Sequence, residues 1–193
     1  MTITILTGCC LSILSTLPDQ SVHTCVTSPP YWGLRDYQRA GQLGLELTPS
    51  EYVSRMVDVF REVRRALRDD GTLWLNLGDS YATKPKGSAD NGTSTLANGR
   101  YNQHGTTPPG LGKGITWDVP QKNLLGIPWR VAFALQDDGW ILRNGIVWHK
   151  PNAMPESVTD RLSTRYEMVF MFSKSRTYRF DLDSIREPQS KAT

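Results

Sequence analysis

The sequence predicts an α/β fold whose sheet is parallel in its centre and closes on an antiparallel hairpin edge. Three observations carry the prediction. Short apolar runs alternate with segments whose apolar residues recur at three- and four-residue steps. The longest such segment opens on a helix-capping signal, and the last two strand-like runs are separated by a tight polar turn.

Ile3 to Leu6 is the first strand candidate, and Leu11, Leu14 and Leu17 follow at three-residue steps before the Pro18-Asp19 turn. Val22 to Val26 is the next apolar run. It leads into Thr27-Ser28-Pro29-Pro30-Tyr31-Trp32, where neither proline can donate to a ladder, so a strand ends and a loop begins. The clearest helix spans about Pro49 to Arg68. Thr48 is its N-cap, Pro49 its first helical residue and Glu51 the capping-box partner, and Tyr52, Met56, Val59, Phe60, Val63 and Leu67 form one apolar face. Asp69-Asp70-Gly71 ends it. Thr72 to Leu77 reads as a strand, turned by Gly78-Asp79-Ser80-Tyr81.

From Thr83 to about Lys122 the composition shifts: seven glycines are interleaved with Lys, Asn, Ser and Thr, and such a segment cannot fill a core by itself. Regular structure returns with a helix from Pro128 to Gln136, closed by Asp138-Gly139. Strands follow at Trp140 to Trp148, Glu167 to Ser173 and Tyr178 to Phe180, the last two joined through Lys174-Ser175-Arg176. The sequence has no internal repeat.

Composition excludes several classes of function. With 193 residues, 38% hydrophobic and 21% charged, the chain has the make-up of one globular domain. A formal net charge of +3 permits a polyanionic partner without demanding one. Cys9, Cys10 and Cys25 make an odd count without C-x-x-C spacing, so they read as reduced, partly buried residues of a cytosolic protein. The start has no basic leader and no later stretch approaches a membrane span, which predicts a cytoplasmic protein with no membrane partner. His23 and His149 lack clustered partners and make no metal site.

The segment with the most chemistry is Thr27-Ser28-Pro29-Pro30-Tyr31, at the end of a strand expected to be parallel, where open α/β sheets hold their ligands. Two successive prolines remove two backbone donors and favour extended geometry, so the loop presents carbonyl oxygens and the Ser28 hydroxyl. It suits an NH₂ group. An exocyclic amine on a nucleobase is a poor nucleophile because its lone pair is delocalised into the ring. If Ser28 and the Pro29 carbonyl accept its two hydrogens, the nitrogen is drawn towards tetrahedral geometry and its lone pair is freed. Preorganised groups of this kind are worth roughly 2 to 4 kcal/mol each in a transition state. Tyr31 can stack on the base, a contact worth roughly 1 to 3 kcal/mol. The plain alternative is an ordinary strand-ending turn.

Ser28-Pro29-Pro30-Tyr31 resembles the catalytic tetrapeptide of the DNA amino-methyltransferases, and Thr27 to Tyr37 is similar to the permuted group in which that motif precedes the cofactor motif. The likeness continues through the Thr48 to Arg68 helix, Gly71 to Tyr81, Trp148-His149-Lys150-Pro151-Asn152 and Glu167 to Phe180. The resemblance implies a partial Rossmann-like methyltransferase sheet, S-adenosylmethionine as cofactor and double-stranded DNA as partner. It implies methyl transfer to an amino nitrogen of a base turned out of the duplex. Serine at the first motif position favours N4 of cytosine over N6 of adenine. Ser28, Pro29, Pro30 and Tyr31 are then the catalytic residues.

On the cofactor side the resemblance points to Thr27, Cys9 and Asp79. Asp79 reads equally as a turn-forming residue, and Cys9 follows Gly8 where the family usually carries an acid. The glycine-rich segment falls where the family has its target-recognition insert. There Lys84, Lys86, Arg100, Tyr101, His104 and Lys113 suit phosphate contact and base stacking, or else a solvated loop. The organisation implied is a catalytic half at 1–82, a flexible insert at 83–122 and the rest of the sheet at 123–193. After the hairpin the family continues into a strand and a phenylalanine-glycine-rich cofactor loop, and nothing after Arg186 resembles it. The expectation is a chain completed by a further C-terminal segment or a second chain; the rival is a non-catalytic DNA-binding protein.

Overall fold

The computed structural model describes residues 2–82 and 119–187. The proposed DNA contacts Lys84, Lys86, Arg100, Tyr101, His104 and Lys113 lie outside the described residues. In chain order the elements are α1 (Cys10–Leu14), β1 (Val22–Thr27), α2 (Pro49–Ala66), β2 (Leu67–Leu77), α3 (Ile127–Asp137), β3 (Ile141–His149), β4 (Tyr166–Ser173) and a 3-10 turn at Asp183–Ile185. No helix among them is long and apolar enough to cross a membrane.

The four described strands form one mixed sheet in the order β1-β2-β4-β3, with β1 and β2 parallel and the other neighbours antiparallel. A parallel pair requires a crossover, and α2 supplies it. The helix starts where the capping box places it: Thr48 Oγ1 accepts from the Glu51 amide at 3.1 Å, and the Glu51 carboxylate accepts from the Thr48 amide at 3.3 Å. The predicted apolar face is buried: Tyr52, Met56, Val59, Phe60 and Val63 pack with Leu73, Leu75 and Leu77 of β2, Phe170 and Phe172 of β4, and Val131 and Leu135 of α3. Each such side chain contributes roughly 1.5 to 3 kcal/mol of burial. Strand alternation leaves Trp74 and Asn76 on the other face of β2.

Four local expectations are corrected. Ile3 to Leu6 forms no strand: these residues pair with no described segment, and Ile3 and Ile5 are 83% and 85% exposed. Apolar alternation without a partner's amides and carbonyls makes no ladder. Tyr178–Phe180 is no strand either, because β4 already has β2 on one side and β3 on the other. The antiparallel hairpin is β3–β4, and the chain beyond it returns over the sheet. There the Arg179 amide donates to the Asp70 carbonyl and the Phe180 ring stacks on Trp74 at 6.4 Å. Asp69-Asp70-Gly71 does not end α2, which stops at Ala66; it is an irregularity inside the β1–β2 ladder, whose register jumps from Val22↔Leu67 to Thr24↔Thr72. A Cβ on Gly71 would lie 2.9 Å from the Arg68 carbonyl oxygen and 3.0 Å from that of His23. The cysteines are free; Cys25 is half-buried in β1, whereas Cys9 and Cys10 are exposed rather than partly buried.

Backbone hydrogen bonds clasp the two ends of the 83–118 segment. The Ala82 amide donates to Asn123, the Lys122 amide to Ala82 and the Leu125 amide to Ser80, each at 2.8 Å.

Thr48→Ala is expected to lower the unfolding free energy by about 1 kcal/mol. Gly71→Ala should cost more, since both obstructing atoms are backbone; urea denaturation of the two variants beside the parent chain checks both magnitude and order.

Candidate active site

The parallel register pairs Thr27 of β1 with Leu75 of β2, so the residue that leaves β1, Ser28, emerges beside Asn76. The antiparallel hairpin brings the start of β4 and the end of β3 to the same end of the sheet, with Leu77 opposite Met168 and His149 opposite Tyr166. Four strand ends therefore converge on the Ser28–Tyr31 loop.

That loop is held from the core side. Trp32 is buried and its indole nitrogen donates to the Glu46 carbonyl at 3.0 Å, while the Ser80 hydroxyl donates to the Trp32 carbonyl at 3.2 Å. Glu46 is itself buried, accepting from the Gly44 amide at 2.8 Å and pairing with Arg55 at 3.2 Å. The Tyr52 hydroxyl, on α2, donates to the Pro30 carbonyl at 2.9 Å. The Pro29 carbonyl has no donor among the described residues. Of the two proline carbonyls one is consumed by the fold and the other is left to accept.

Tyr31 is half-buried and its hydroxyl is the hub of the site. Asn76 Oδ1 lies 2.7 Å from it and Glu167 Oε2 3.0 Å, both as acceptors. The Ser28 hydroxyl has Tyr31 Oη at 3.2 Å and Asn76 Oδ1 at 3.3 Å as its own acceptors. The Asn76 amide nitrogen is committed to the Met168 carbonyl at 3.2 Å, and Glu167 is ion-paired with Lys150. The single hydrogen of Ser28 is thus directed inward, leaving its lone pairs to the exposed side. The Tyr31 ring lies against Gly78, where a Cβ would sit 2.6 Å from Cε2.

Burial pushes the Tyr31 hydroxyl up to about 12, and the charge of Glu167 adds to the shift while the Ser28 hydrogen bond opposes it. Burial likewise raises Tyr52, with the Glu46 charge adding. At neutral pH both remain protonated donors.

The other sequence-predicted residues are placed unevenly. Thr27 ends β1 directly before the loop. Asp79 follows Gly78, and its Oδ1 accepts from the Ser80 amide at 2.8 Å and the Ile127 amide at 2.9 Å. It thereby caps α3, whose own N-cap Gly126 has no side chain to do so. Burial raises the Asp79 carboxyl above its ordinary value, against the pull of those amides. Cys9 is exposed ahead of α1, its thiol lowered chiefly by hydrogen bonding with the Ser12 backbone, and no hydrogen bond among the described residues ties it to the loop. Sequence reasoning missed Asn76, Glu167 and Lys150. The signals were the lone polar residue in Leu73-Trp74-Leu75-Asn76-Leu77 and a charge at the head of an apolar strand.

The polarity around the loop decides what it accepts. Hydroxyls, an amide oxygen and a carbonyl with no donor among the described residues face this end of the sheet, and the Glu167 and Lys150 charges offset one another. A wall of acceptors fits a ligand that brings N–H groups, as an amino-bearing ring does.

Comparison with known proteins gives the same direction. The family model described as DNA methylase matches residues 22–193. Type II methyltransferase M.XycI of Xanthomonas campestris pv. cyanopsidis is 50% identical over 189 residues, covering 96% of this chain and 59% of that protein. Type II methyltransferase M.SmaI of Serratia marcescens is 47% identical over 173 residues, covering 89% of this chain and 56% of that protein. The chain thus spans less than two thirds of the length of these curated relatives. Among solved structures, the cytosine-N4-specific PvuII DNA methyltransferase superposes with a TM-score of 0.59 at 19% identity, over 96% of this chain and 57% of that one. A Thermus thermophilus protein solved with S-adenosyl-L-methionine gives 0.54 at 22%, over 92% and 55%. These likenesses show a Rossmann-like methyltransferase fold.

Gly78→Ala is expected to displace the Tyr31 ring and cost about 1 to 3 kcal/mol in chemical denaturation. A variant as stable as the parent would mean that the ring does not rest on residue 78. Because the folded state holds the Tyr31 proton more tightly than the unfolded chain, its contribution is complete below about pH 10 and fades as pH rises towards about 12. Tyr31→Phe should flatten that part of the stability-against-pH curve.

Proposed function

Since the chain belongs to the DNA methylase family, we propose that this site transfers a methyl group from S-adenosylmethionine to an exocyclic amino nitrogen of a DNA base turned out of the duplex. The observation that carries the reading is the pair of unspent acceptors on one loop: the outward lone pairs of Ser28 and the undonated carbonyl of Pro29. An amino group has two hydrogens, and these are two acceptors set on adjacent residues with no flexible linker between them.

The residues divide the work. Ser28 and the Pro29 carbonyl accept the two amino hydrogens, which withdraws the nitrogen lone pair from the ring and aims it away from the loop. Acceptors already in place cost no reorganisation when the nitrogen becomes positive in the transition state. Pro30, with its carbonyl bonded to Tyr52, keeps the loop rigid. Tyr31, lying on Gly78 and bonded to Asn76 and Glu167, fixes the wall that the base meets. S-adenosylmethionine supplies, when bound, a methyl on a cationic sulfur that leaves as a neutral thioether. With the cofactor bound, the amino nitrogen held by Ser28 and Pro29 would take the methyl as the sulfur keeps the S–C bonding pair, and would then lose one proton to solvent. Thr27, Asp79 and Cys9 are the residues of this chain proposed to face the cofactor.

Serine at position 28 supports cytosine N4 over adenine N6 as the target. Double-stranded DNA is the proposed partner, with Lys84, Lys86, Arg100, Tyr101 and Lys113 as its proposed contacts on sequence grounds alone. A second chain or a further segment completing the cofactor side is also part of the proposal.

The test is transfer of labelled methyl from S-adenosylmethionine to mixed duplex DNA, with product nucleosides separated by mass. N4-methylcytosine is the expected product, and Ser28→Ala should reduce the rate by about 100-fold or more. N6-methyladenine instead would keep the chemistry and overturn the base preference. A folded chain that binds duplex DNA and transfers nothing would replace the enzyme reading with a DNA-binding one.

A further inference from the structure

The site holds a charged pair that the proposed chemistry does not use directly. Glu167 opens β4 opposite Trp148, and its two carboxylate oxygens look in different directions: Oε1 to the Lys150 ammonium, Oε2 to the Tyr31 hydroxyl at 3.0 Å. Lys150 is fixed in turn by its backbone, whose amide donates to the Arg165 carbonyl at 2.8 Å across the open end of the hairpin.

Counting hydrogens shows what the pair does. Asn76 Oδ1 and Glu167 Oε2 can only accept, and the amide nitrogen of Asn76 donates to the Met168 carbonyl, outside the cluster. Tyr31 has one hydrogen for these two acceptors, and Ser28 has one hydrogen for Tyr31 Oη and Asn76 Oδ1. A bond to a carboxylate is stronger than one to a neutral amide, so Glu167 draws the Tyr31 hydrogen to itself. Tyr31 Oη and Asn76 Oδ1 are then both open to Ser28. No hydrogen bond of the cluster is donated to Ser28 Oγ, and its own hydrogen has two acceptors on the inner side. Without the carboxylate, the Tyr31 hydrogen falls to Asn76 Oδ1 at 2.7 Å, which leaves Ser28 one open inward acceptor in place of two and loosens the hold on its own hydrogen.

We propose that Glu167 and Lys150 are positioning residues which, acting through Tyr31, hold the Ser28 hydroxyl as an outward acceptor. A serine oriented this way receives an N–H; the reverse orientation would set hydrogen against hydrogen. The donor chain Ser28 to Tyr31 to Glu167 also polarises the Ser28 oxygen, because a hydroxyl that donates becomes a better acceptor. Lys150 holds the carboxylate in that orientation through Oε1. The kinetic consequence rests on the methyl-transfer reading; the orientation itself does not.

The experiment separates the two. The full chain is labelled with 3-fluorotyrosine, and the Tyr31 fluorine resonance is assigned by its loss in Tyr31→Phe. Glu167→Gln should move that resonance and lower its titration midpoint, because a negative charge is removed, whereas Lys150→Met should raise the midpoint, because a positive one is. If Glu167→Gln does not fold, as judged by circular dichroism, Lys150→Met carries the same test with the opposite sign. In methyl transfer, Glu167→Gln should reduce kcat by about 10- to 100-fold with KM for DNA within about twofold, and should add no further loss on a Tyr31→Phe background. A Tyr31 resonance that neither variant moves overturns the proposal, as does a kcat loss equally large without the Tyr31 hydroxyl. If the resonance responds as stated but the parent chain transfers no methyl, the positioning pair stands and the methyl-transfer reading falls.

Discussion

The constraint on which the rest depends is the parallel pairing of β1 with β2. Parallel neighbours cannot be joined by a tight turn, so the chain must cross over, and α2 makes the crossing with an apolar face that then has to be buried. The same pairing sets two strand ends side by side, Thr27 against Leu75, and delivers Ser28 to Asn76. Core and site therefore follow from one register. Leu73, Leu75 and Leu77 point to the helices while Asn76, between them, points to the Ser28–Tyr31 loop.

The loop is rigid because it is tied on its inner side and open on its outer side. Tyr52 donates to the Pro30 carbonyl, which removes that polar atom from what the exposed side can offer, while Ser80 holds the Trp32 carbonyl and the Trp32 indole and Glu46 carboxylate brace the neighbouring 44–46 segment. What remains exposed is a residue of that subtraction. The Pro30 carbonyl goes to Tyr52, and the Pro29 carbonyl is left. Polar satisfaction in the interior and selectivity at the surface are here the same accounting of donors.

Signals confined to a few neighbouring residues were legible in the sequence. The capping box at Thr48 and Glu51, the apolar face of α2 and the Ser28-Pro29-Pro30-Tyr31 loop all state their physics within one turn of chain. Signals that depend on what stands across the sheet were not. Ile3 to Leu6 and Tyr178 to Phe180 have strand composition but pair with no described strand. Asp69-Asp70-Gly71 announces a break correctly but not that the break falls inside a ladder. Asn76, Lys150 and Glu167 meet Tyr31 or one another only through the β2–β4–β3 register; Tyr31 and Glu167 are 136 residues apart. Asp79 shows the intermediate case, since its turn-forming character was visible while its service to the start of α3 was not.

The clasp at residues 80 to 82 and 122 to 125 has a consequence of another kind. Because the chain departs and returns through backbone hydrogen bonds that use no particular side chain, closure of whatever lies between is already secured by the framework. The entropic cost of lengthening a closed loop grows only slowly, about 0.6 kcal/mol per doubling. Residues 83–118 can therefore be rewritten, shortened or extended by descent while the sheet and its acceptors stay as they are. A scaffold built this way separates the sequence of the spanning segment from the integrity of the sheet, so that one can change while the other is kept.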